Sequence, residues 1–106
     1  MSENVLQSYE DAWRTADIST QSDVLIFLTK AVPLFGWRIV EEAVQLGNES
    51  MVLQGLVAAL SYLRRVRIEP SQCFTEQIGT IARSGRSQEA RALSQQVLQR
   101  IAAKDM

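Results

Sequence analysis

The stretch over residues 33–67, PLFGWRIVEEAVQLGNESMVLQGLVAALSYLRRVR, decides the fold of this chain. Its apolar residues recur every three to four positions on both sides of Gly47 and Asn48. This spacing is typical of helices that bury one face. Glycine commonly ends a helix, and asparagine commonly caps the helix that follows. The stretch therefore predicts two amphipathic helices joined by a tight turn.

The segment just before this hairpin, residues 24–32, is VLIFLTKAV and is apolar nearly all round. Its Val, Ile and Phe residues favour a strand locally, but no second segment of the chain offers itself as a pairing strand. We therefore predict a buried helix that ends at or before Pro33. We expect this helix to be the central element and, with residues 51–66, the most buried part of the chain.

The rest of the chain continues the helical pattern. Residues 2–16 predict a first helix, and the capping-rich segment 17–22 predicts the connection that follows it. Residues 71–83 and 87–103 predict two more helices, separated by a turn with Gly85 and Ser87 as its caps. We expect an all-α fold of five or six helices, arranged as consecutive antiparallel hairpins.

The last two hairpins also align with each other at a shift of 38 residues (Val40 to Ile78). The aligned apolar and glycine positions of their first helices are Val40, Ala43, Val44 and Gly47 with Ile78, Ile81, Ala82 and Gly85. Stacked helix pairs of roughly 30 to 45 residues are the sequence mark of α-solenoids. In this the chain resembles HEAT and TPR-type helical repeats. The resemblance implies a short solenoid-like stack, and a compact bundle is the alternative that the pattern leaves open.

Composition argues against several classes of function. The 106 residues, which we expect to form one domain over 1–106, include no histidine and a single cysteine, Cys73. The commonest general base and the commonest metal ligand are therefore missing, and a disulfide within the chain is impossible. We expect no enzyme, cofactor or metal. No apolar run is long enough to span a membrane, and the acidic start is no signal peptide, so we expect a cytoplasmic protein.

Charge is distributed unevenly along the chain. Residues 1–50 carry eight acidic and three basic side chains, whereas residues 51–106 carry four acidic and eight basic ones. Glu41 and Glu42 are adjacent, so on a helix they diverge by about 100° and cannot share a proton as a catalytic pair. We expect both to lie on a solvated helix face, in an acidic patch with Glu10 and Asp11.

A basic cluster closes the second helix of the hairpin, and arginine can bind partner carboxylates through bidentate contacts. We favour this cluster over the acidic patch as the partner-binding site, with Arg83 as a further extension on the neighbouring turn. The predicted partner-binding residues are Arg64, Arg65, Arg67, Phe35 and Arg86.

These observations predict a small protein–protein interaction module, such as an immunity protein or a dedicated chaperone or adaptor. The alternative is a DNA-binding or antitoxin-like regulator that uses the hairpin 71–103. Residues 78–98 are similar to a helix-turn-helix, and residues 84–87 resemble the interhelical turn of ribbon-helix-helix antitoxins. The last helix is rich in Gln where a DNA reader usually carries Lys or Arg, so we expect another protein as the partner rather than nucleic acid. The sequence leaves a homo-oligomer open.

Overall fold

The computed structural model describes residues 11–31, 36–46, 48–85 and 87–104. Within these ranges residues 11–15 are helical and no strand occurs. Five helices follow in order: α1 (Ile18–Ala31), α2 (Trp37–Leu46), α3 (Glu49–Arg65), α4 (Gln72–Ser84) and α5 (Gln88–Lys104). The predicted all-α fold class is confirmed.

Polar side chains set the starts of three helices. Asn48, Ser71 and Ser87 each accept a hydrogen bond from the backbone N–H three residues further on, at 3.0, 3.1 and 3.1 Å. Each bond satisfies a donor that has no partner within its helix. At the end of α4, the Gly85 backbone N–H donates to the Ile81 carbonyl at 2.8 Å. The caps predicted at Asn48, Gly85 and Ser87 are therefore confirmed.

Helix α1 begins earlier than predicted, because Asp17 caps it. The Asp17 carboxylate accepts a hydrogen bond from the Thr20 backbone N–H at 2.8 Å. Hydrogen bonds from the Thr20 side chain and backbone hold the pKa of Asp17 below its usual value. The prediction of a connection over residues 17–22 was wrong, since all but the first of these residues are helical.

Helices α1, α3 and α5 lie side by side and run in the same direction. The Ser22 hydroxyl bonds to the Gln54 side chain at 2.9 Å, and Arg65 reaches the Lys30 carbonyl at 2.6 Å, so α1 and α3 meet at corresponding ends. Helix α5 is also parallel to α3. Ala90 in its first turn lines a concavity with Val52 near the start of α3, and Ile101 in its last turn lines another with Arg64 at the end of α3. We call these three helices the parallel layer. Helices α2 and α4 pack onto α3 and α5 respectively, and contact each other.

Helix α3 is the central element, in contact with α1, α2 and α5. It buries eight residues: Met51, Gly55, Leu56, Ala58, Ala59, Leu60, Tyr62 and Leu63. In α1 only Leu25 and Leu28 are buried, whereas Ile26 is 46% exposed and Phe27 57% exposed. The prediction that residues 24–32 form the central element was wrong. The reason is positional: α1 lies at the edge of the parallel layer, so one side of the helix packs against α3 and other sides face solvent.

A glycine allows α2 to approach α3 closely. A Cβ added at Gly55 would lie 2.9 Å from the Val44 Cγ2 atom and 3.4 Å from the Ala43 Cβ atom. Such a separation is below van der Waals contact between carbon atoms. The glycine therefore accommodates an aliphatic stretch of α2.

An aromatic cluster joins α2, α3 and α4. The Trp37 ring centroid lies 5.5 Å from that of Tyr62 and 5.2 Å from that of Phe74, the latter in an edge-on arrangement. Both distances fall in the range of favourable aromatic pairs. Burial raises the pKa of the Tyr62 hydroxyl, because the charged form would lose its hydration. Trp37 thus binds three helices together.

Replacing Gly55 or Gly79 by alanine should change the free energy of unfolding in opposite directions. Gly55→Ala should lower the free energy of unfolding by about 1 kcal/mol, because overpacking against Val44 outweighs the gain in helix propensity. Gly79→Ala should raise it by up to about 1 kcal/mol, because a Cβ there meets no atom closer than 3.9 Å. Urea unfolding followed by far-UV circular dichroism measures both. Stabilisation by both substitutions would contradict the close α2–α3 contact.

Candidate functional site

A broad concavity on the described surface follows the connection between α3 and α4. It has a volume of about 950 Å³. Three arginines line it, together with a single acidic residue, Glu69. Its apolar lining consists of the buried Leu63, the half-buried Val66, Ile68, Pro70 and Ile101. We call this concavity the basic groove.

The end of α3 explains how the groove arises. Val66 leaves the helix in an extended conformation, with φ −134° and ψ 157°, and its backbone N–H donates to the Tyr62 carbonyl at 2.9 Å. Arg64 and Arg65 therefore project from the last turn of the helix, where the helix dipole favours a cation. Arg67 projects from the extended chain beyond that turn, where this effect has faded.

The structure brings the predicted Arg64, Arg65 and Arg67 to one groove, but their environments differ. The Arg65 Nη1 atom donates to the Lys30 carbonyl oxygen at 2.6 Å. That carbonyl lies in the last turn of α1, where helix carbonyls lack intrahelical partners. Arg65 therefore ties the end of α1 to the end of α3. Arg64 and Arg67 are exposed and make no ion pair with any described residue.

The remaining predicted contacts do not extend this groove. Phe35 and Arg86 lie outside the described residues. Arg83 is exposed near the end of α4, whereas Gln72 and Thr75 at the start of α4 line the groove. The intervening helix is about 15 Å long at 1.5 Å per residue. The prediction that Arg83 extends the cluster was therefore wrong.

The expectation that Glu41 and Glu42 are simply solvated was also wrong. Both residues are half-buried. The Glu42 Oε1 atom accepts from Arg14 Nε at 2.7 Å, which links α2 to the helical residues 11–15. Glu41 accepts from the Trp37 indole N–H at 2.7 Å and from the Ser71 backbone N–H at 3.0 Å. The two neighbouring carboxylates therefore bind different parts of the chain: Glu41 binds the start of α4, and Glu42 binds the helical residues 11–15.

Glu41 has a structural role that sequence reasoning missed. Its Oε1 atom also accepts from the Ser71 hydroxyl at 2.9 Å, so the α4 cap is held by a carboxylate from another helix. In a capping box the third residue of the helix supplies that acceptor, as Glu or Gln. Here Phe74 occupies the position. Because Phe74 cannot accept a hydrogen bond from Ser71, the sequence indicated that a carboxylate from elsewhere in the chain could do so.

A second groove, of about 270 Å³, lies on the outer side of the parallel layer. Its lining is mainly apolar and comes from all three helices, with Ile26 of α1, Leu53 and Val57 of α3, and Leu93 of α5. The sequence pattern gave one signal for it, the apolar run 24–32, which we interpreted as core.

Two kinds of feature are absent from the described residues. They contain no group of three or more His, Cys, Asp or Glu side chains placed to hold a metal ion. None of their helices combines the length and the apolar character that crossing a membrane requires.

Arg65 and Arg64 give a direct test of the structural difference between them. Arg65→Ala should lower the free energy of unfolding by about 1 kcal/mol, because the Lys30 carbonyl loses a charge-assisted hydrogen bond. Arg64→Ala should change it by less than about 0.5 kcal/mol, as is usual for an exposed side chain. Thermal and urea unfolding measure both. Equal effects would mean that Arg65 does not tie α1 to α3.

Comparison of the chain with protein families, with curated proteins and with solved structures gives no significant match. The resemblance to HEAT and TPR-type repeats therefore stays a prediction from the sequence pattern.

Proposed function

We propose that this chain is a small protein–protein interaction module that binds an acidic segment of a partner protein in the basic groove. The observation that carries the proposal is the pairing of Arg64 and Arg67, both exposed, with an apolar lining in the same concavity. A guanidinium group can hold a carboxylate through two parallel hydrogen bonds. The apolar lining offers a place for a nonpolar side chain of the same segment.

The position of Arg67 argues against a purely structural origin of the cluster. Arg64 and Arg65 can be explained by the dipole of α3, and Arg65 also by its bond to α1. Arg67 follows the Val66 cap and has neither explanation. With Glu69 as the one acidic residue lining the groove, the three arginines give it a positive potential that would steer an acidic partner.

Within this proposal, an immunity protein or a dedicated chaperone or adaptor is the class we favour. Such proteins act by binding alone, and the histidine-free sequence supplies few groups for acid–base or metal chemistry. We propose that the chain acts in the cytoplasm and is not an enzyme. This inference rests on the site rather than on the fold, because one helical fold can serve many functions.

No observation favours the DNA-binding alternative. Helix α5 would be the reading helix, but it packs against both α3 and α4 and buries Ala90, Ser94 and Val97. Arg91, an obvious phosphate ligand at its start, donates instead to the Gly85 carbonyl at 2.7 Å. One N–H of its guanidinium thus binds the residue that caps α4.

Reversing one charge in the groove should remove the partner. In a low-salt pull-down from native lysate, the wild type should retain a stoichiometric protein and Arg67→Glu should lose it, because partner carboxylates would then meet a carboxylate. Arg83→Glu is the matched control, since it makes the same charge change at an exposed arginine outside the groove. Mass spectrometry identifies and quantifies the retained protein.

Two outcomes would contradict the proposal. One is a partner that Arg67→Glu and Arg83→Glu retain equally. The other is retention of duplex DNA that falls steeply as salt rises, which is the signature of phosphate binding.

A further inference from the structure

The outer face of the parallel layer carries the same order of side chains on both of its flanking helices. On α1, Asp23, Ile26 and Lys30 are spaced by three and four residues, so they share one side of the helix. All three are exposed. The order is an acid near the start of the helix, an apolar residue in the middle and a base near the end.

Helix α5 repeats this order on its own outer side. Glu89, Leu93 and Arg100 lie at intervals of four and seven residues, which also places them on one side of the helix. Glu89 and Arg100 are exposed, and Leu93 is half-buried. Because α1 and α5 both run parallel to α3, their acids lie at one end of the layer and their bases at the other.

The apolar residues of the three helices meet at one level. The groove of about 270 Å³ is lined by Ile26, Val57 and Leu93, one residue from each helix, and its lining also includes Lys30 and Glu89. Val57 is 43% exposed and Ile26 is 46% exposed. The face therefore has an apolar line across its middle, with acids on one side of that line and bases on the other.

We propose that this face is the interface of a homodimer in which the two parallel layers lie antiparallel. A two-fold axis in the plane of the interface, perpendicular to α3 and passing over Val57, maps the apolar line onto itself. The same axis brings the acidic end of each copy over the basic end of the other. Asp23 of one copy then lies opposite Lys30 of the other, and Glu89 opposite Arg100.

The area of the face is close to the area that a second copy of the chain would bury in a stable dimer. Helix α3 has 17 residues, which corresponds to about 25 Å. Three helices packed about 9 Å apart cover about 27 Å across, so the face measures about 700 Å². A standard interface buries about 800 Å² on each partner. The apolar middle and charged margins also match the usual arrangement of an apolar core and a polar rim.

This inference is independent of the basic groove. None of Asp23, Lys30, Glu89 and Arg100 lines that groove. Substitutions on the face can therefore test the dimer without altering the proposed partner site.

Sedimentation equilibrium of the full chain at micromolar concentrations tests the homodimer. The wild type should give twice the mass of the 11.9 kDa chain, and Ile26→Glu and Val57→Glu should each give a monomer. Ile18→Glu is the matched control, because Ile18 is 60% exposed on the same helix but lies about 12 Å from Ile26 along the helix axis, and about 120° from Lys30 and about 140° from Asp23 around it. Its dimer should persist. Far-UV circular dichroism confirms that each variant is folded.

Charge reversal tests the antiparallel arrangement. Glu89→Arg and Arg100→Glu should each weaken dimerisation by about tenfold, since each contact occurs twice in the symmetric dimer. The double variant should recover most of the wild-type affinity, because the swapped charges again meet their opposites.

Three results would overturn the inference. The first is a wild type that stays monomeric at all concentrations. The second is a dimer that Ile26→Glu and Val57→Glu leave intact. The third is a monomer whose Ile26→Glu variant loses the protein partner of the pull-down, which would assign the face to that partner instead of a second copy.

Discussion

The packing of α3 against three other helices is the constraint on which the rest of the structure depends. A helix that meets neighbours on three sides needs small residues where backbones come close and large ones where they diverge. Gly55 is the small residue, and its backbone lies against Val44 of α2. Tyr62 is the large residue, and it is fully buried beside Trp37. Tertiary packing of this kind supplies most of the stability of helices in proteins.

The same constraint places the surfaces that we associate with binding. Since α1 and α5 flank α3 and run parallel to it, residues that suit a helix start collect at one end of the layer. Asp17, Glu49 and Glu89 lie near such starts, where the helix dipole favours an acid. Lys30, Arg64 and Arg65 lie near helix ends, where it favours a base. The shared direction of the three helices thus separates acidic from basic side chains in space.

The local part of the fold was predictable from the sequence, because its causes are local. Asn48, Gly85 and Ser87 act on atoms within four residues of themselves, so the pattern alone indicated them. The position of α1 was not predictable in this way. An apolar run fits a central helix and an edge helix with an exposed apolar face equally well, and only the packing distinguishes them.

The candidate site was predictable in composition but not in detail. The arginine cluster was visible, yet nothing in the sequence separates Arg65 from Arg64 and Arg67. The difference arises from a carbonyl 35 residues away. The prediction that Glu41 and Glu42 are solvated was wrong for the same reason, because their hydrogen-bond partners lie 30 and 28 residues away in the sequence. Side chains that join separate elements are the ones that a helical wheel cannot assign.

The central position of α3 has a consequence for how the chain unfolds. In a linear array each repeat contacts only its neighbours, so an end can fray while the middle persists. Here α1, α2 and α5 all contact one helix, α3, and loss of any of them would expose buried residues of α3 to water. Intermediates that lack one helix are therefore costly, and the helices of the described core should unfold together in one cooperative transition.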